Sequence, residues 1–209
     1  MKPTSNNTIR PILIGITGGI GSGKSYICHQ LEQTGHHVFY CDDVAKQIIR
    51  TQADVKRELT ALVGPDVYDV AGQLVKSVLA AYLCRGTDYS HRIDQIVHPR
   101  VAAAFKQQAA LLRPSTPTTL ECDEKVISLQ LLQQLPTDGV LFMECALLFE
   151  SGFDQLVDKS VVVHVSQETQ LKRLIGRDHI SREKALRWIS LQLAEDVKVD
   201  RADYVINNE

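Results

Sequence analysis

The stretch Gly15-Ile-Thr-Gly-Gly-Ile-Gly-Ser-Gly-Lys-Ser25 follows the apolar run Pro11 to Ile16 and leads into helix-compatible sequence from Ser25 to Thr34. Gly18, Gly23, Lys24 and Ser25 satisfy the G-x-x-x-x-G-K-[ST] spacing of a phosphate-binding loop set between a strand and a helix. Glycines let backbone N–H groups wrap phosphates without Cβ clashes, and the helix N-terminus adds partial positive charge beneath them. The expected phosphate contacts are Gly18, Gly19, Ile20, Gly21, Ser22, Gly23, Lys24 and Ser25, with the backbone N–H of Tyr26 beyond them. Lys24 is expected to reach the β- and γ-phosphates, and Ser25 to ligate Mg²⁺. The alternative, a glycine-rich turn carrying a chance lysine, needs four residues and both flanks to coincide. The chain is therefore expected to bind a nucleoside triphosphate, but the loop does not say what receives the phosphate.

Outward from the loop, short apolar runs recur between longer amphipathic segments: Val38 to Cys41, Val140 to Glu144, Ser160 to Val165 and Tyr204 to Ile206. That rhythm predicts an α/β fold, a parallel sheet flanked by helices. From about Ala45 to Arg113 the chain reads as helix, broken at Gly64-Pro65, Ala71-Gly72, Arg85-Gly86 and His98-Pro99. This is longer than one crossover helix, so a helical subdomain over 45–113 is expected. Residues 114–138, with Pro114, Pro117 and Pro136, read as a surface excursion carrying one helix around Glu124 to Leu135. A core of 10–44 and 139–209 remains, within a single domain of 209 residues.

Lys and Arg total 23 against 25 Asp and Glu, a formal charge of -2, which points away from a nucleic-acid or anionic-membrane surface and toward metabolite substrates. The polar Met1 to Arg10 segment lacks the apolar run of a secretory signal, and no later stretch is long and apolar enough to span a bilayer, so the default location is cytoplasmic. Cys28, Cys41, Cys84, Cys122 and Cys145 are odd in number and lack a C-x-x-C pair, which predicts reduced, mostly buried thiols. His36 and His37 read as a solvated turn before a strand.

Ligands of an open parallel sheet gather outside the carboxyl ends of its strands. Asp42 and Asp43 follow the second strand, and Cys145 to Glu150 the third; these carboxylates are expected to face the phosphates. Phosphoryl transfer to an alcohol needs a carboxylate that orients the hydroxyl and accepts its proton, and Asp42 is the first candidate. Alternatively, Asp42 or Asp43 caps a helix beginning at Val44. Arg173 and Arg177, four apart on an expected helix from Glu168 to Arg177, are either a clamp on triphosphate oxygens or a solvated basic face. Glu144 and Glu150 would bind Mg²⁺ through water or orient substrate, unless Glu150 caps the segment starting at Ser151.

With these residues in place, the chain resembles the dephospho-CoA kinases. The likeness runs from about Ile12 to Asn207 through the loop, Asp42 to Lys46, Ile96-Val-His-Pro99 and Ala146-Leu-Leu-Phe-Glu150. It continues through Gln170-Leu-Lys-Arg-Leu174, Arg177-Asp178, Gln192 and Ala202-Asp-Tyr-Val-Ile-Asn207. The resemblance implies a P-loop kinase core, a helical substrate subdomain and a lid around 167–190. It implies phosphorylation of the ribose 3′-hydroxyl of dephospho-CoA by ATP, with Asp42 as base and Arg173 on the phosphates. His98 matches the family's His-Pro pair, as a substrate-side residue or as a buried hydrogen-bonding group before a helix start at Pro99.

Departures from the family pattern are Tyr40 for an aspartate two places before the base, Tyr26 for threonine, Ala146 for proline and Glu144 for aspartate. The excursion before Gly139 is longer than usual, and relatives generally continue beyond the last strand into another helix. Rival readings are another small-metabolite or nucleoside kinase, or a P-loop regulator without transferase activity. No N-K-x-D or L-S-G-G-Q segment supports a GTP switch or an ABC-type ATPase. Oligomeric state is not legible.

Overall fold

Strands β1 (Ile12–Thr17), β2 (His37–Tyr40), β3 (Val140–Glu144), β4 (Lys159–His164) and β5 (Tyr204–Asn207) form one sheet in the order β2-β3-β1-β4-β5 in a computed structural model that describes residues 9–209. β1 pairs in parallel with β3 on one side and β4 on the other, and β4 pairs in parallel with β5. β3 is buried at every residue and β1 at all but Leu13, the pattern of strands covered on both faces. Because consecutive strands depart to opposite sides of β1, the crevice of the sheet opens at its carboxyl end, and the Gly18–Ser25 loop lies there.

Helix α1 (Lys24–Gln33) follows that loop and buries Ile27, Cys28 and Leu31, its i, i+4 stripe. Later in the chain come α6 (Leu129–Gln133), α7 (Gln167–Asp178), α8 (Arg182–Ser190) and α9 (Glu195–Arg201). Ser128, Ser166 and Ser181 cap α6, α7 and α8 by accepting from Leu131, Thr169 and Lys184 backbone N–H groups. α7 and α8 form a hairpin through His179 (φ 51), with Leu171, Leu174 and Ala185 at its centre and Ile20, Ile175, Ile180 and Ile189 packed against them.

Helices α2 (Cys41–Thr51), α3 (Ala53–Val63), α4 (Lys76–Leu83) and α5 (Thr87–Leu111) occupy the intervening stretch. Contacts divide the chain into one unit of Met1–Phe39 with Gln108–Glu209 and a second of Tyr40–Gln107. Within the second unit Arg100 donates to Asp54 at 2.8 Å and to Glu58 at 2.6 Å, fastening α5 to α3.

Several expectations are corrected. No break occurs at His98-Pro99: α5 runs through Pro99, so Pro99 does not start a helix. Ile93, Val97, Val101 and Phe105 keep one face of α5 buried on both sides of the proline, and Arg100 Nη1 donates to the Ile96 carbonyl at 2.6 Å beside it. Conversely, α2 and α3 are separated at Gln52, a boundary that carries no glycine or proline. The helix expected over Glu124 to Leu135 shrinks to α6, because residues before it run along β5 instead: Ile127 N donates to Val205 O at 2.9 Å and Val205 N to Lys125 O at 2.8 Å. His36 is not solvated. It is buried, with Nδ1 at 2.9 Å from Thr34 Oγ1, Nε2 at 3.0 Å from the Leu135 carbonyl, and its ring edge-on to Phe142. The five cysteines are free thiols, with Cys28, Cys41 and Cys145 buried, Cys122 half-buried and Cys84 exposed. Only Ile9 and Arg10 of the polar N-terminal segment lie within the described residues, among which no helix is long and apolar enough to cross a membrane.

Candidate active site

Three glycines of the loop hold positive φ: Gly18 at 145°, Gly21 at 83° and Gly23 at 94°. At Gly18 a Cβ would stand 2.3 Å from the Val163 carbonyl oxygen, so both conformation and space demand glycine there. Gly23 forms the N-cap of α1, and no acidic residue lies in that helix's first turn to neutralise its positive end.

Lys24 is buried and its Nζ donates to the Gly18 carbonyl at 2.9 Å, which curls the side chain back over the loop. Beneath it, burial pushes the Cys28 thiol up, the Glu144 carboxylate adds to that shift and Lys24 opposes it. Cys28 is thereby an unreactive thiol, and Glu144 lies buried at the end of β3, in register with Ile16.

Arg173 reaches the loop from α7. Its Nη1 donates to the Ser22 carbonyl at 3.1 Å and its Nη2 to the Asn208 carbonyl at 2.6 Å. Arg177, one turn on, is 62% exposed and held by Asp178 at 2.7 Å; the bond to Asp178 raises the Arg177 pKa further and lowers that of Asp178. Arg173 and Arg177 line one cavity of about 410 Å³ with Ile20, Gly21, Gly23, Lys24 and Ser25. Both arginines thus stand beside the loop, Arg173 bonded to its backbone and Arg177 largely solvated.

The same cavity bears on Mg²⁺. Ser25 is exposed on the first turn of α1 and contributes one hydroxyl, and no group of three or more His, Cys, Asp or Glu suited to a metal ion exists among the described residues. A single hard oxygen donor beside this cavity suits Mg²⁺, which keeps several waters and takes few protein ligands.

Asp42 and Asp43 occupy the first turn of α2, behind Tyr40 as N-cap, and no side chain caps that helix. The expected Asp cap before Val44 is therefore absent: the helix starts at Cys41, earlier than the apolar pattern indicates. Asp43 is engaged by Lys46 at 3.0 Å, whereas Asp42 is exposed on the same turn. His98 Nε2 is 3.4 Å from Asp94 Oδ1 on α5 and the side chain is partly exposed, not buried. Glu150 does not cap Ser151. Its Oε1 accepts from Leu193 N at 2.9 Å and stands 3.8 Å from Lys198 Nζ.

Residues outside the expected site also touch the loop. Asn208 Nδ2 donates to the Ser22 carbonyl at 2.8 Å, Gln192 Oε1 accepts from Ile20 N at 2.7 Å, and Gln170 lies against Gly19 and Gly21. Gln170 and Gln192 stand in the ordered motifs, but no spacing rule assigns them a contact so far away in sequence; Asn208 lies just past the last strand candidate, where the strand-end rule looks.

A family model described as dephospho-CoA kinase matches residues 12–122 and 125–209. A Bacteroides fragilis protein named dephospho-CoA kinase is 35% identical over 198 residues, covering 95% of this chain and 85% of its own, and a Fusobacterium nucleatum protein of the same name is 32% identical over 94% and 89%. Among solved structures, the Thermus thermophilus protein TT1252 matches with a TM-score of 0.73 at 28% identity over 96% of this chain and 90% of that one. A Campylobacter jejuni dephospho-CoA kinase shares the fold, with a TM-score of 0.60 at 21% identity over 94% and 87%.

Proposed function

We propose a residue-level course of reaction for a chain that belongs to the dephospho-CoA kinase family. The enzyme transfers the γ-phosphoryl group of ATP to dephospho-CoA in the synthesis of coenzyme A. In this reading the acceptor is the ribose 3′-hydroxyl: its oxygen bonds to the γ-phosphorus, the bond to the β-γ bridging oxygen breaks, and ADP leaves.

Lys24 and Arg173 support the reading most directly, since both donate to loop carbonyls, Lys24 to Gly18 and Arg173 to Ser22. Loop N–H groups from Gly21 to Tyr26 would bind phosphate oxygens, Lys24 would exchange the Gly18 carbonyl for the β- and γ-phosphates, and Arg173 would stabilise charge on the transferring group. Arg177 is the weaker phosphate ligand because Asp178 already holds its fork. Mg²⁺, held by Ser25 and the triphosphate, would neutralise phosphate charge. Asp42 orients the 3′-hydroxyl and accepts its proton, a role open to it because Asp43 is paired to Lys46. His98 is a substrate-side group, and the lid is the α7–α8 hairpin. A cytoplasmic location suits these metabolite substrates.

An acceptor screen tests the assignment. ADP is expected to form rapidly only with dephospho-CoA, ATP and Mg²⁺ together, and not with nucleosides or pantetheine compounds; equal turnover without acceptor would mark a simple ATPase.

A further inference from the structure

We propose that Glu150 and Lys198 are positioning residues for the phosphate loop, acting through Gln192. The loop has few anchors of its own, since its backbone turns at three positive-φ glycines and lies outside the strand ladder. Two contacts at Ile20 compensate: its side chain packs against the α7–α8 cluster, and its N–H donates to Gln192 Oε1 at 2.7 Å. Gln192 itself stands in the irregular link Leu191 to Ala194 between α8 and α9.

That link is fastened at the next residue. Leu193 N donates to Glu150 Oε1 at 2.9 Å, and the same oxygen stands 3.8 Å from Lys198 Nζ. The Lys198 side chain is 0% exposed, and its Nζ has no hydrogen-bond partner among the described residues. A buried ammonium is costly, and a well-packed apolar residue of the same volume is often neutral or stabilising in its place. Its presence here has a positional effect: it holds the Glu150 carboxylate, which is 25% exposed, at the point where that carboxylate accepts the Leu193 N–H. The path from charge to loop is thus Lys198, Glu150, Leu193, Gln192, Ile20. This assigns Glu150 to loop geometry rather than to metal or acceptor, and it rests on the reading that the loop binds the triphosphate.

The test combines steady-state kinetics with calorimetric binding of a non-hydrolysable ATP analogue. Gln192→Ala, Glu150→Gln and Lys198→Met are each expected to raise the KM and Kd on the ATP side by about 3- to 10-fold, the range of one hydrogen bond, while the KM for dephospho-CoA stays within about twofold. Adding Glu150→Gln to Gln192→Ala is expected to cost nothing further on the ATP side, because both act on one contact. Glu150→Gln with Lys198→Met is expected to recover part of the Glu150→Gln loss, since no unpaired buried charge is left. Unchanged ATP affinity in Glu150→Gln, or additive losses with Gln192→Ala, would overturn the proposal; so would a lowered melting temperature and kcat with both KM values intact. Should Lys198→Met fail to fold, Glu150→Gln and Gln192→Ala carry the test alone. Lys24→Ala separates the two levels: if it binds the analogue normally, the loop reading fails, and if it alone loses binding, only the positioning proposal fails.

Discussion

Arg173 Nη2 donates to the Asn208 carbonyl at 2.6 Å, so the arginine of α7 is pinned to the chain just after β5 while its other nitrogen lies on the loop carbonyls. A lysine ammonium cannot make both contacts from one planar fork. Arg173→Lys is therefore expected to lower kcat by about 10- to 100-fold, with a smaller change in melting temperature. A variant with full kcat would remove Arg173 from the reaction.

Lys24→Ala removes the cation that curls over the loop. Activity is expected to fall by about a hundredfold or more, with weakened ATP binding. In the same loop, Gly18→Ala should destabilise the fold more than Gly86→Ala: both glycines hold positive φ, but only at Gly18 does the new Cβ meet backbone, at 2.3 Å, whereas nothing lies within 4 Å at Gly86. Comparing the two melting temperatures separates steric clash from conformational strain.

For Asp42→Asn the acceptor side is the one affected. We expect kcat to drop by about 10²- to 10⁴-fold while ATP-analogue affinity stays within about twofold. Collapse of ATP binding would make Asp42 structural or metal-linked instead.

Chelation by EDTA is expected to abolish ADP formation and added Mg²⁺ to restore it. Ser25→Ala should raise the Mg²⁺ concentration needed for half-maximal rate by several-fold, about one ligand's worth among waters and phosphates. An unaltered Mg²⁺ titration would exclude the Ser25 hydroxyl.

Arg10 reads out in stability rather than rate. Its bidentate hydrogen bonds to Asp158 hold that carboxyl below the usual range, against the opposing effect of burial, and Leu13 N–H adds to the lowering. A lowered folded pKa stabilises the protein above the unfolded carboxylate pKa of about 4, and that contribution is lost as pH falls through the folded value. Asp158→Asn should therefore melt below the parent at pH 7, with the gap closing as pH drops below about 4.

The turn of the phosphate loop and all five strands were legible because each rests on local chemistry: glycines at a strand-to-helix turn, and short β-branched or apolar runs; the four-residue interval of Arg173 and Arg177 left clamp and solvated face open. Elsewhere local rules misled. Pro99 reads as a helix break, yet buried Val97 and Val101 on either side hold α5 together. Residues 124–128 carry helical composition, yet β5 offers its edge and they pair with Val205. His36 looks like a solvated turn until the Leu135 carbonyl, almost a hundred residues away, takes its ring nitrogen.

By itself, then, the sequence determined a P-loop-type turn ending at Lys24 within a parallel α/β sheet, since turn conformation and strand burial are properties of neighbouring residues. Tertiary structure alone decided what holds the loop: Gln192 on Ile20, Asn208 on Ser22, and Glu150 between Leu193 and Lys198. Those are polar contacts between distant segments, and polar pairing has no sequence period to betray it. Only folding brings these groups within 4 Å of one another, where burial makes an unmade bond costly.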